Sequence, residues 1–183
     1  MNRNGFTIIE LMIVLEVLTI ITSTVLPAFR HLLIKIEVDG QINTLVSTMH
    51  LARSEAVKHN QVVTICKSLD RQHCGGTWSD GWLMFVDNNA DGDKSLLEQA
   101  ITTGQLTEGY KLSWSAFGSD NYIRFRQNGL TSSHNGSFIV CPTSGDSGFA
   151  RAVIISKTAR VRTSKDSDAD GIEENASGNP LNC

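Results

Sequence analysis

The chain has 183 residues, of which 40% are hydrophobic and 19% charged, and its formal net charge is −3. That length allows one domain with a real core beside a long apolar segment. The slightly acidic balance excludes a uniformly basic nucleic-acid binder, so any such role has to rest on a local patch.

The first element is an apolar run from Phe6 to Leu26, broken only by threonines, one serine, Glu10 and Glu16. About 20 such residues cross the hydrocarbon core of a bilayer as a helix, which satisfies its own backbone polar groups. A secretory signal fits poorly, because the run is too long and no small-x-small cleavage site follows it. A plain anchor leaves the glutamates unexplained: an ionised carboxylate at membrane depth costs at least ~2.5 kcal/mol and usually has a partner. Cleavage between Gly5 and Phe6 would create one. The new α-amino group is positive, and in a stack of parallel helices Glu10 of one subunit can neutralise the amino end of its neighbour.

"MNRNG" followed by "FTIIEL" resembles a type IV prepilin leader: short, polar, basic through Arg3, ending in glycine, then phenylalanine, with glutamate fifth in the mature chain. The resemblance implies that a prepilin peptidase cleaves after Gly5 and N-methylates Phe6. It further implies that Glu10 guides assembly and that Pro27 kinks the helix at the membrane boundary. Glu16 departs from the resemblance, since most relatives are apolar there; it faces water or a partner helix.

Beyond Pro27 the helix is expected to continue. Ile42, Leu45, Val46, Met49, Ala52 and Ala56 recur at three- and four-residue steps, an apolar stripe for packing on a sheet. Gly40 is a weak point within it. The change from helix to strand falls near Asn60. "QVVTICKS", "GWLMFVD", "YKLSWSAF", "NYIRFRQNG", "GSFIVCP" and "RAVIISKTARVRT" then read as strands bounded by turn residues. The tail from Lys165 is polar, acidic and irregular.

The expected fold class is therefore α+β, pilin-like: a long N-terminal helix, membrane-spanning in its first half and amphipathic in its second, packed on an antiparallel β-sheet domain. The expected organisation is a leader at 1–5, a membrane and assembly helix at 6–28, its amphipathic continuation at 29–59 and a periplasmic β-rich domain at 60–183. Cys66, Cys74, Cys141 and Cys183 downstream of an export segment suit two disulfides in an oxidising compartment. Three pairings are open; Cys66–Cys74, closing a short loop, and Cys141–Cys183, tying down the C-terminus, are favoured. A zinc site is the alternative, without a C-x-x-C pair or histidine spacing to support it.

"CKSLDRQHCGGTWSDGWLMFVDNNADGD" resembles the GspH/FimT group of minor pilins and pseudopilins, in which a Cys…Cys loop precedes a W-x-D-G-W-x-x-F-x-D strand. Trp78, Asp80, Gly81, Trp82, Phe85 and Asp87 match it. "YIRFRQNGLTSSHNGSFIVC" resembles the group's next paired strands and "ARAVIISKTARVR" its closing strand. The resemblance implies a non-catalytic subunit that primes or caps a pilus-type filament. Its implied location is the bacterial inner membrane, single-pass with a periplasmic C-terminal domain, and then the filament. Its implied partners are other pilin or pseudopilin subunits and the prepilin peptidase. Two other roles are open: a DNA-binding subunit for uptake of double-stranded DNA in natural transformation, and a tip subunit of a type II secretion pseudopilus.

Two constellations bear on those roles. Arg124 and Arg126 are two apart in one expected strand, as are Arg160 and Arg162 in another, with Lys157 and Lys165 near in sequence. If the strands are neighbours they form a basic stripe able to grip a phosphate backbone. FimT-type members bind DNA through a G-R-x-R motif; here Ala159 stands in place of the glycine before Arg160, Val161 and Arg162, and an acidic tail follows. The second constellation, Asp87, Asn89, Asp91, Asp93, Ser95 and Glu98, has calcium-loop spacing. Ordinary hairpin chemistry after a strand is the favoured reading of those residues. "DSDADGIEE" from Asp166 repeats the start of that spacing without its final glutamate. No cofactor is otherwise expected, and the scattered histidines form no catalytic motif.

Overall fold

The computed structural model describes residues 7–131 and 134–183, so the expected cleavage point at Gly5 and Phe6 lies outside the described residues. The element order is one long helix, α1 (Ile8–His59), followed by β1 (Val63–Lys67), β2 (Trp82–Val86), β3 (Ala100–Gly104) and β4 (Tyr110–Phe117). After these come β5 (Tyr122–Phe125), β6 (Asn135–Pro142), a short 3-10 turn (Ser147–Phe149), β7 (Arg151–Ile155) and β8 (Val161–Thr163). The chain falls into two compact units, one ending at Glu37 and one running from Val38 to Cys183.

In the first unit α1 is exposed along its apolar side chains from Ile8 to Leu26, a length and composition sufficient to cross a membrane. Thr19, Thr22, Ser23 and Thr24 turn their hydroxyls back onto helix carbonyls, so these side chains need no water. Pro27 lies inside the helix.

In the second unit the helix presents Val38, Ile42, Leu45, Met49, Ala52 and Ala56 to the core, in alternating steps of four and three. Val46, expected in this stripe, is only half-buried; Gln41 is buried instead, donating from Nε2 to Thr107 Oγ1 at 2.5 Å. The helix ends at the expected place for a definable reason. Asn60 takes a left-handed φ of 52°, its N–H donates to Val57 O, and Gln61 N–H donates to Ala56 O. Those two bonds satisfy carbonyls the last turn would otherwise leave open.

The strands form two antiparallel sheets, ordered β3-β2-β1-β5 and β4-β6-β7-β8. Phe85, Phe125 and Phe138 are wholly buried together with Leu45, Met49 and Ile65, and burying each such side chain contributes roughly 1.5–3 kcal/mol. Two differences from the sequence reading stand out. The expected strand over 151–163 is a hairpin, because Ser156 and Arg160 close a turn (Ser156 N to Arg160 O, Ala159 N to Ser156 O) around Ala159 at φ 56°. Strand β3 was not expected at all. It is a short edge strand of alanine, isoleucine, threonine and glycine, and its place comes from pairing with β2 rather than from its own pattern.

The W-x-D-G-W segment has a physical explanation at each position. Trp78 Nε1 donates to Asp120 O, and its ring meets Phe138 edge-on at 4.9 Å. Asp80 accepts from the backbone N–H and then the hydroxyl of Thr77, which together hold its carboxyl below the ordinary carboxylate range. A group of that kind contributes stability above its unfolded pKa and loses it as the pH falls through the folded one. Gly81 adopts φ 137°, and a Cβ there would lie 2.7 Å from Gly104 O; Gly104 in turn leaves room for the Trp82 ring. Cys66–Cys74 and Cys141–Cys183 are bonded, and Leu181 of the tail is buried with Cys141, Ala150, Ala152 and Ile154.

Candidate assembly and nucleic-acid surfaces

Three groups of side chains carry the functional candidates. The first lies on α1. Glu10 sits in its first turn, exposed, with its backbone N–H bonded to Thr7 Oγ1 and its carboxylate without a partner among the described residues. A carboxylate in that setting is free to meet a cation from another chain.

The second group is the arginines, and tertiary structure divides them. β5 and β8 belong to different sheets, so Arg124 and Arg126 do not continue the Arg160–Arg162 row. Arg124 is also committed. Its Nη2 lies 3.3 Å from Oδ2 of the fully buried Asp87, its Nε donates to Thr64 Oγ1 at 3.4 Å, and its guanidinium stacks over Tyr122. Arg126 lies past the end of β5, in a turn closed by Arg126 N to Leu130 O. The strands are therefore not neighbours and the four arginines form no single stripe: period-two spacing places residues on a face of a strand but does not say which sheet the strand joins.

Arg160 and Arg162 remain exposed and make no ion pair among the described residues. Lys157 is exposed beside them, its Nζ over the Phe117 ring at 5.7 Å. Arg160 and Arg162 also line one cleft with Lys165, Asp168 and Glu174, so the acidic tail lies against the arginines it follows. Ala159 forms the turn despite lacking glycine's freedom, a left-handed conformation that costs roughly 1–2 kcal/mol for an L-residue. Burial of its methyl group and a 3.1 Å bond from Arg53 Nη1 to its carbonyl hold it there.

The third group is acidic. In the 87–98 loop the two end carboxylates point inward. Asp87 accepts from Thr64 Oγ1 at 2.6 Å, Gly92 N at 3.1 Å and Asp91 N at 3.2 Å; Glu98 accepts from Asn88 N at 2.8 Å and Ser95 N at 2.9 Å. Asn89 and Asp91 bond to each other, and Asp93 N donates to Asp91. These carboxylates cap the loop's own amides, and Asp87 also pairs with Arg124. The tail is arranged differently. Carboxylates of Asp166, Asp168, Asp170 and Glu174 lie within 4.8 Å of one another, each also accepting a backbone N–H. Glu174 stands at the ninth position of the spacing rather than the twelfth, so the spacing alone does not mark it.

These elements define a class. Among solved structures the chain is similar to the type IV minor pilin FimU of Pseudomonas aeruginosa, with a TM-score of 0.57, 21% identity, and coverage of 80% of this chain and 95% of that one. It is also similar to the minor pseudopilin EpsH from the Type 2 Secretion System of Vibrio cholerae, with a TM-score of 0.50, 12% identity, and coverage of 69% and 95%. Both likenesses are of fold: one long N-terminal helix packed on antiparallel sheets, the pilin-like α+β arrangement. Residues 41–159 match the family described as "Type II transport protein GspH", and the chain belongs to that family. No curated protein matches it.

Proposed function

We propose that this chain is a membrane-anchored minor pilin or pseudopilin that primes or caps a pilus-type filament and has no catalytic role. One observation carries the reading. A single helix is bare and apolar from Ile8 to Leu26, then buries a stripe from Val38 to Ala56 in a β-rich unit. Such a helix serves twice, as an anchor before assembly and as a rod packing on neighbouring rods afterwards. In this reading residues 1–5 are removed, 6–28 occupy the membrane, 29–59 continue the helix, and 60–183 lie in the periplasm. The reading requires that cleavage free Phe6. Mass spectrometry of filament-incorporated protein should find N-methyl-Phe6 at the amino terminus, and an intact Met1 end would overturn it.

A second reading, DNA binding during uptake, is favoured by Arg160 and Arg162, exposed beside Lys157 and without ion pairs among the described residues. Phosphate contacts would make such binding independent of sequence and steeply weakened by salt. Changing both Arg160 and Arg162 to glutamine should remove most of it and flatten the salt dependence by roughly two phosphate contacts. Changing Asp166, Asp168 and Asp170 to asparagine should strengthen it, because Asp168 lines the arginine cleft and Asp166 and Asp170 cluster with it. An anisotropy titration at low salt measures both; no binding at tens of micromolar (roughly the non-specific range) excludes the role. A type II secretion tip is the third reading, and deletion of the gene separates it from the first by abolishing secretion rather than piliation.

A further inference from the structure

Between Thr7 and Phe29 the helix carries two charged side chains, Glu10 and Glu16, both acids; the first base is Arg30. Glu16 is exposed, and its carboxylate makes no ion pair or hydrogen bond among the described residues. The nearest hydroxyls cannot serve it. Thr19 Oγ1 donates 2.7 Å to the backbone carbonyl of Glu16, and Thr22 and Ser23 donate to Leu18 and Ile20 carbonyls. The glutamates are six positions apart, which is about 9 Å along the axis and about 120° around it. The two carboxylates therefore face different neighbours.

Counting charges limits who those neighbours are. On the filament-subunit reading above, cleavage frees one α-amino group per chain, so each copy brings one cation and two carboxylates to membrane depth. Neighbouring amino ends neutralise Glu10, and one acid per copy is left over. A second copy alongside offers Glu16 only more acid. An unpaired carboxylate is disfavoured there, so intramembrane acids ordinarily mark a site with a specific partner.

We infer that Glu16 docks the membrane helix of a different subunit, one that carries a lysine or arginine at the depth of Glu16. Such a contact makes the chain a hetero-assembly component: it selects which helix packs on the face of α1 turned away from the Glu10 contact. It also disfavours runs of this chain alone, because each added copy adds an uncompensated acid.

The test uses the full-length processed chain, donor-labelled, in phosphatidylcholine vesicles. The probe is a synthetic oligo-leucine transmembrane helix with one lysine set at the level of residue 16, and the control has leucine in its place. Energy transfer to the lysine helix should exceed the control at least about fivefold. Glu16→Leu should reduce it to the control level, Glu16→Gln should retain part of it, and Glu10→Leu should leave more than half. Loss of a charge eases insertion, and helicity by circular dichroism checks that each variant is intact. Equal capture by Glu16→Leu and the unaltered chain overturns the inference, as does a preference that moves with Glu10. A second arm labels two copies of this chain: if Glu16→Leu lowers their self-association, a second copy is the occupant and the inference also fails. The amino-terminal mass is read separately, on filament-incorporated protein. An uncut Met1 end there refutes the filament reading, while the dependence of capture on Glu16 is scored independently of it.

Discussion

Asp87→Ala is expected to destabilise the unit from Val38 onward by about 3–5 kcal/mol, because it strands a largely buried cation. Asp87 is fully buried, and it is the anion facing Arg124, whose side chain is only 12% exposed. It also accepts from Thr64 on β1 and from the Gly92 and Asp91 amides of the 87–98 loop, so its loss opens a strand contact and a loop together. Urea denaturation of the full chain in mild detergent measures the effect. Arg124→Met in the same background should restore part of the loss, since a buried pair replaced on both sides is far less costly than one broken on a single side. A drop below about 1 kcal/mol for the single change would mean that Arg124 finds water, and the pairing would then matter little.

Glu10→Ala is expected to reduce incorporation into the filament to about one-tenth or less while leaving membrane insertion intact, since a carboxylate is costly in lipid without its partner. The two readouts separate causes. Insertion reports the apolar length of α1, which the change does not touch, and incorporation reports the contact between Glu10 and a neighbour's amino end. Quantitative immunoblotting of sheared filaments against the membrane fraction measures both. Normal incorporation by Glu10→Ala would remove the role proposed for this carboxylate, and reduced insertion would show that the anchor itself had failed. The pair of results also bears on Glu16, whose loss should affect the choice of neighbour rather than entry into the membrane.

Local chemistry was legible along the chain because its causes are local. An apolar run long enough to span a bilayer, a three-and-four stripe through Met49 and Ala56, and alternating strands between turn residues each act within one element. Together they determined the α+β pilin-like class, one helix on antiparallel sheets. Position in the fold was not legible in the same way. Nothing in "RAVIISKTARVRT" shows that Ala159 turns left-handed and folds the segment into a hairpin, since the turn depends on Arg53 of the helix holding its carbonyl. Nothing in "AITTG" marks an edge strand, because β2 supplies its pairing. The arginines show the division most plainly. Spacing set which residues lie on one face of a strand, but only the assembly of two sheets decided that Arg124 goes to Asp87 while Arg160 and Arg162 stay at the surface. The physical reason is that a charge's role depends on which opposite charge reaches it and how much water remains, and residues 87 and 124 are far apart in the chain until it folds.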